Sequence, residues 1–132
     1  MLFRELRSAG LIVAYVGLFF SLLMFVPWLV SIFTGWKGGG SFFWSGFMTG
    51  LFCSLVIIAC YGEQPKVTPR FGILVVNLLW FLLPILCAIP LLNSSAELSF
   101  TDALFEATSG LTTTGSTVMT ELLSFDRPIL LW

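Results

Sequence analysis

FTDALFEATSGLTTTGSTV, residues 100–118, joins a short amphipathic stretch to a run of hydroxyls and glycines. Its last twelve residues, 107–118, hold five Thr, two Ser and two Gly and carry no charge. Ser99 and Asp102 in front of it form a variant capping box, with Asp where Glu is usual. Leu98, Leu104, Phe105 and Leu111 supply apolar contacts, and Gly110 suits a helix C-cap. The spacing predicts a helix of about ten residues, reaching only ~15 Å. That is half the thickness of a bilayer core. Thr112, Thr113, Thr114, Gly115 and Ser116 follow, a run with poor helix propensity.

The surrounding sequence makes that half-length matter. The chain has 132 residues, 58% of them hydrophobic and only 10% charged. A soluble domain carries about 25% charge. Three stretches lack any charge, 8–36, 38–62 and 71–96. Each exceeds the roughly 20 apolar residues a spanning helix needs. The expected fold is therefore an all-α membrane protein. It has three transmembrane helices plus a re-entrant helix and loop, and is cut off at the start of a fourth span. Arg4 and Arg7 precede the first run, which is too long for a signal peptide core. Residues 1–67 read as two leading transmembrane helices. Residues 68–132 read as an outer helix, a short helix, a loop and the start of an inner helix.

The first helix is expected over 8–33, with a bend at Pro27. Residues 34–41, TGWKGGGS, form a loop; no strand precedes it and it lacks the P-loop pattern. The second helix is expected over 42–61. Gly46 and Gly50, with Ser45 and Thr49, make a small-xxx-small face for helix packing. Thr68 and Pro69 give an N-cap and first position for the third helix, running to about Leu92. Pro84 and Pro90 predict a kink or an early end in its second half. Asp126, Arg127 and Pro128 open another helix.

Arg4, Arg7, Lys66 and Arg70 fall on one side and Lys37 and Arg127 on the other. This bias places the N-terminus of a multi-pass membrane protein in the cytoplasm. No basic patch invites nucleic acid. Cys53, Cys60 and Cys87 lie within the apolar runs and read as small buried side chains. There is no His, and no cofactor is expected. Asp102 and Glu106 share a helical face, but without His or a cofactor fingerprint an enzyme is not indicated.

Non-helical backbone at membrane depth is tolerated where it is buried in protein or lines a wet cavity. Its carbonyls can replace the hydration shell of a cation, and the C-terminal end of a short helix adds negative potential. Glycine permits backbone angles closed to other residues. The alternative is a small non-conducting membrane protein that packs on partner helices through Gly46 and Gly50. That reading leaves the half-length helix and its Thr-Gly tail unexplained.

FTDALFEATSGLTTTGSTV resembles the first pore loop of the TrkH/KtrB potassium-uptake transporters, in the TrkH branch. The loop carries the specific match; the leading helices match in topology and length. The resemblance implies four helix–loop–helix repeats around one pore, each supplying a filter segment. Here Thr112, Thr113, Thr114 and Gly115 would offer one quarter of a K+ site. Gly115 would be the filter glycine, which favours potassium, since some sodium-selective plant relatives have serine there. From the residues themselves, Asp102 is expected to support the filter by stabilising the N-terminus of the short helix. Ser116 and Glu106 are expected to support the filter directly, Glu106 from behind its backbone; the alternative for Glu106 is an acid in a wet outer vestibule. Repeats two to four fall outside these residues, so the chain reads as an N-terminal fragment that does not conduct alone. The resemblance also implies contact with membrane lipid. The complete protein would be a homodimer bound to a cytoplasmic nucleotide-binding regulatory subunit such as TrkA.

Overall fold

Charge-free runs of this length become helices because a helix satisfies every backbone polar group within itself. The computed structural model describes residues 2–62, 68–94, 97–119 and 125–132, with side chains from residue 5 onward. Five helices follow in order: α1 Leu2–Thr34, α2 Gly39–Cys60, α3 Pro69–Leu92, α4 Phe100–Leu111 and α5 Arg127–Leu131. There is no strand among the described residues. α1, α2 and α3 are each long and apolar enough to cross a membrane, and the chain is a multi-pass membrane protein.

α1 begins six residues before the expected Ser8 and reaches ~50 Å, well beyond a bilayer core of ~30 Å. Its charged first turns need no lipid, so they extend the helix outside the apolar run. Arg7 there donates to the carbonyl of Ala59 at 2.9 Å, placing a cation at the C-terminal end of α2. α1 continues as helix through Pro27.

The connection to α2 is shorter than expected, because α2 starts at Gly39 rather than Phe42. Two left-handed glycines, Gly35 (φ 70°) and Gly38 (φ 86°), turn the chain within four residues. α1 and α2 then pack through small residues. Gly17, Ser21, Met24 and Ser31 of α1 are buried, as are Gly39, Ser45, Gly46, Thr49 and Cys53 of α2. Ser21 Oγ donates to the Gly46 carbonyl at 2.9 Å. A Cβ on Gly46 would meet the Ser21 carbonyl at 3.1 Å and Met24 Cβ at 3.2 Å. A Cβ on Gly50 would meet Ser21 Oγ at 2.6 Å. The Gly46/Gly50 face is thus already covered by α1 of the same chain, and is not left open for a partner helix.

α3 starts at the Thr68 cap, whose Oγ1 accepts from Phe71 N at 3.2 Å. Pro84 and Pro90 do not end the helix early; α3 runs on to Leu92 with both prolines buried. Its last turn is tied to α2, Asn93 Nδ2 donating to Ser45 Oγ at 3.2 Å. Ala9 of α1 packs with Phe71 and Val75 of α3, so the starts of these two helices lie at one end. Cys53 and Cys87 are buried, whereas Cys60, at the end of α2, is half-exposed.

One core joins the opposite end. Phe42 of α2, Cys87, Ala88 and Leu91 of α3, Ala103 and Ala107 of α4, and Ile129 of α5 meet there. Ala103 and Ala107 are one helical turn apart, so α4 lies closely against α3. α5 is held by the Trp132 indole N–H, which donates to the Cys87 carbonyl at 3.0 Å. Arg127 lies over the Trp36 ring at 5.3 Å, joining the start of α5 to the α1–α2 turn. Large apolar side chains remain exposed along the three long helices, among them Phe19, Phe52, Ile58, Ile73 and Phe81. Lipid contact makes such exposure favourable.

Candidate ion-coordinating loop

α4 begins at Ser99. Its Oγ accepts from Asp102 N at 3.2 Å and donates to Asp102 Oδ2 at 2.6 Å. The cap satisfies an orphan N–H, and the carboxylate faces the positive end of the helix. At twelve residues α4 reaches ~18 Å. It starts near the C-terminal end of α3 and runs away from it.

The expected C-cap at Gly110 is not used. Helix continues through Gly110 to Leu111, and Thr112 is the C-cap. Hydroxyls returning to the backbone support this extra length: Thr108 Oγ1 donates to the Leu104 carbonyl at 2.6 Å and Thr112 Oγ1 to Thr108 O at 2.8 Å. The end is a Schellman arrangement, with Thr114 N on Ser109 O at 3.1 Å and Thr113 N on Gly110 O at 3.2 Å. The left-handed position, normally glycine, holds Thr113 at φ 56°. A β-branched residue there is strained by ~1–2 kcal/mol.

Of the four residues expected to line a filter, Thr112 therefore belongs to the helix end, in a right-handed conformation. Thr113, Thr114 and Gly115 leave the helix, Gly115 with φ 71°. All four, with Ser116, Thr117 and Val118, are exposed. Among the described residues no hydrogen bond falls on the carbonyls of Thr113, Thr114 or Gly115. The strip therefore presents unpaired backbone oxygen.

Behind it lies a cavity of about 430 Å³. Its walls include Phe20 and Leu23 of α1, Cys87 of α3, Glu106, and Gly115 to Thr117. Phe20 lies ~21 Å along α1 from its Thr34 end, so the strip backs onto the middle of a membrane-length helix. Ser116 edges this cavity and a smaller one of about 170 Å³ beside Phe105, Thr108 and Thr114.

Glu106 is half-buried on the face of α4 towards the returning limb. Its Oε1 accepts from Thr117 Oγ1 at 2.6 Å, Val118 N at 2.6 Å and Met119 N at 3.3 Å. Thr117, which is not among the expected supporting residues Asp102, Glu106 and Ser116, is the hydroxyl that meets the Glu106 carboxylate. Its place eleven residues after Glu106 offers no periodic signal. Residues 120–124 lie outside the described residues. The chain is again described at Phe125, which packs against the core shared by α2, α3, α4 and α5.

No protein-family model matches the chain. The Trk system potassium uptake protein TrkH of Escherichia coli K12 is 35% identical over 127 residues, covering 96% of this chain and 26% of that protein. TrkG of the same strain is 32% identical, covering 84% of this chain and 23% of that protein. The crystal structure of the potassium transporter TrkH from Vibrio parahaemolyticus superimposes with a TM-score of 0.83 at 30% identity, over 95% of this chain and 27% of that one. The chain thus spans about a quarter of the length of the relatives it matches. With 96% of this chain matched in sequence and 95% of it superimposed, over the residues it comprises this chain belongs to the TrkH family.

Proposed function

We propose that this chain is part of a potassium-uptake transporter and contributes one quarter of its selectivity filter. One observation carries the reading. The twelve-residue α4 ends in a capped turn, and an exposed non-helical strip follows it, whose Thr113, Thr114 and Gly115 carbonyls accept no hydrogen bond among the described residues. Such backbone is not stable against lipid. It needs water, an ion or further protein in front of it. Carbonyls from Thr112 to Gly115, left-handed at Thr113 and Gly115, suit a desolvated monovalent cation. The related proteins' names, Trk system potassium uptake proteins, support potassium as the ion.

On this reading the carbonyls replace water around K+, and the C-terminal end of α4 adds a favourable potential. Conduction follows the electrochemical gradient. One strip encloses no pore, so these 132 residues do not conduct alone. Residues 1–67 form the leading pair and 68–132 the first pore repeat. The protein sits in the bacterial inner membrane with Arg7 and Arg70 cytoplasmic. The complete protein is a homodimer regulated by a TrkA-like nucleotide-binding subunit, and it is a transporter rather than an enzyme.

The test is rescue of potassium-starved cells lacking their own uptake systems by the full-length gene. Gly115→Val abolishes rescue at unchanged membrane abundance. Undiminished rescue by this variant contradicts the reading.

A further inference from the structure

The strip is held at its leading end by the turn that closes α4, through the bonds from Thr113 N and Thr114 N. From Gly115 to Thr117 the support is different. One side is exposed and the other faces the cavity of about 430 Å³. No atom stands within 4 Å of the position a Cβ on Gly115 would take. Packing therefore restrains this part little. Its restraint among the described residues is Glu106, which gathers Thr117 Oγ1, Val118 N and Met119 N on one oxygen.

We propose that Glu106, acting through Thr117, is the positioning residue that sets the ion preference of the strip. This rests on the filter reading above. Discrimination between cations needs a fixed spacing or field of the coordinating oxygens. The Glu106 carboxylate fixes the far end of the strip at Thr117, two residues beyond Gly115. The bonds are charge-assisted, which makes them roughly twice as strong as neutral ones. Thr117 relays the hold, because the same Oγ1 that donates to Glu106 accepts from Met119 N at 3.0 Å. Glutamine at 106 keeps an acceptor oxygen but loses the charge, and alanine removes the anchor. Serine at 117 keeps the hydroxyl, and valine removes it without changing the shape.

The experiment uses the full-length transporter in cells lacking other potassium uptake. It reads the ratio of rubidium to sodium uptake at matched membrane abundance. Glu106→Ala is expected to lower the ratio by about tenfold or more. Glu106→Gln and Thr117→Val fall between Ala and the parent, and Thr117→Ser stays at the parent's value. If Glu106→Ala fails to reach the membrane, Glu106→Gln and Thr117→Val decide. Ratios within about twofold of the parent for these variants overturn the proposal. So does a loss of abundance with an unchanged ratio, because that marks a purely structural residue. Gly115→Val separates the two claims. If it blocks uptake while the Glu106 and Thr117 variants keep the ratio, this inference fails alone. If it too leaves uptake intact, the filter reading fails.

Discussion

Adding one methyl group to Gly46 should cost far more than adding it to Gly10. Both glycines lie inside helices of the α1–α2 pair, so helix propensity favours alanine at both by about 1 kcal/mol. The surroundings decide the sign. A Cβ at Gly10 meets nothing within 4 Å. At Gly46 it meets the Ser21 carbonyl at 3.1 Å, Met24 Cβ at 3.2 Å and Phe25 Cε2 at 3.3 Å. Two of those atoms are backbone or backbone-attached, so relief requires α1 and α2 to separate. Overpacking of this kind costs about 1–3 kcal/mol. Separation also stretches the buried bond from Ser21 Oγ to the Gly46 carbonyl, worth ~0.6–1.7 kcal/mol in a membrane. Gly46→Ala is thus expected to destabilise by about 1–3 kcal/mol after the propensity gain, and Gly10→Ala to be neutral or stabilising. Gly50→Ala falls between them, because its clash is with the Ser21 hydroxyl, which can rotate away at the loss of its bond. Unfolding of the full-length protein in mixed micelles, titrated with a denaturing detergent, ranks the three. Equal midpoints for Gly46→Ala and Gly10→Ala would refute the close packing of α1 on α2. The consequence reaches the loop, since Phe20 and Leu23 beside this contact form one wall of the cavity behind it.

Two further outcomes follow from α4. Thr113→Gly removes the strain of a left-handed β-branched residue but adds freedom to the unfolded chain, leaving a net gain of about 0.5–1 kcal/mol; the same titration measures it, and a loss contradicts the left-handed turn. Ser99→Ala deletes the cap of α4 and is expected to cost about 1 kcal/mol; membrane abundance should fall while the rubidium-to-sodium ratio of the remaining transporter holds.

Local signals carried much of the fold. Three charge-free runs had to become membrane-length helices, and Thr68–Pro69 and Ser99–Asp102 sit where caps belong because a cap depends only on its own first turn. The apolar pattern points to Ser8 as the start of α1, and the helix begins earlier because its charged turns fall outside that pattern. Glycine is the usual stop, yet α4 does not end at Gly110. Threonine hydroxyls bonding back to the helix carried it to Leu111 and put the left-handed turn on Thr113. The α1 side of the Gly46 contact has its own local pattern: Ala14, Gly17, Ser21 and Met24 recur at steps of three and four, the spacing of a packed seam. The bonds Asn93–Ser45, Trp132–Cys87 and Glu106–Val118 join residues distant in sequence. They depend on how the helices dock, which no local pattern encodes.

In the proposed filter a desolvated cation sits beside the exposed loop that follows α4. Crystals of the full-length protein grown in rubidium, with data collected at the rubidium absorption edge, test it directly. Anomalous density is expected on the pore axis within coordinating distance of the carbonyls of Thr112 to Gly115. A well-phased map with rubidium peaks elsewhere along the pore and none beside these oxygens would contradict it.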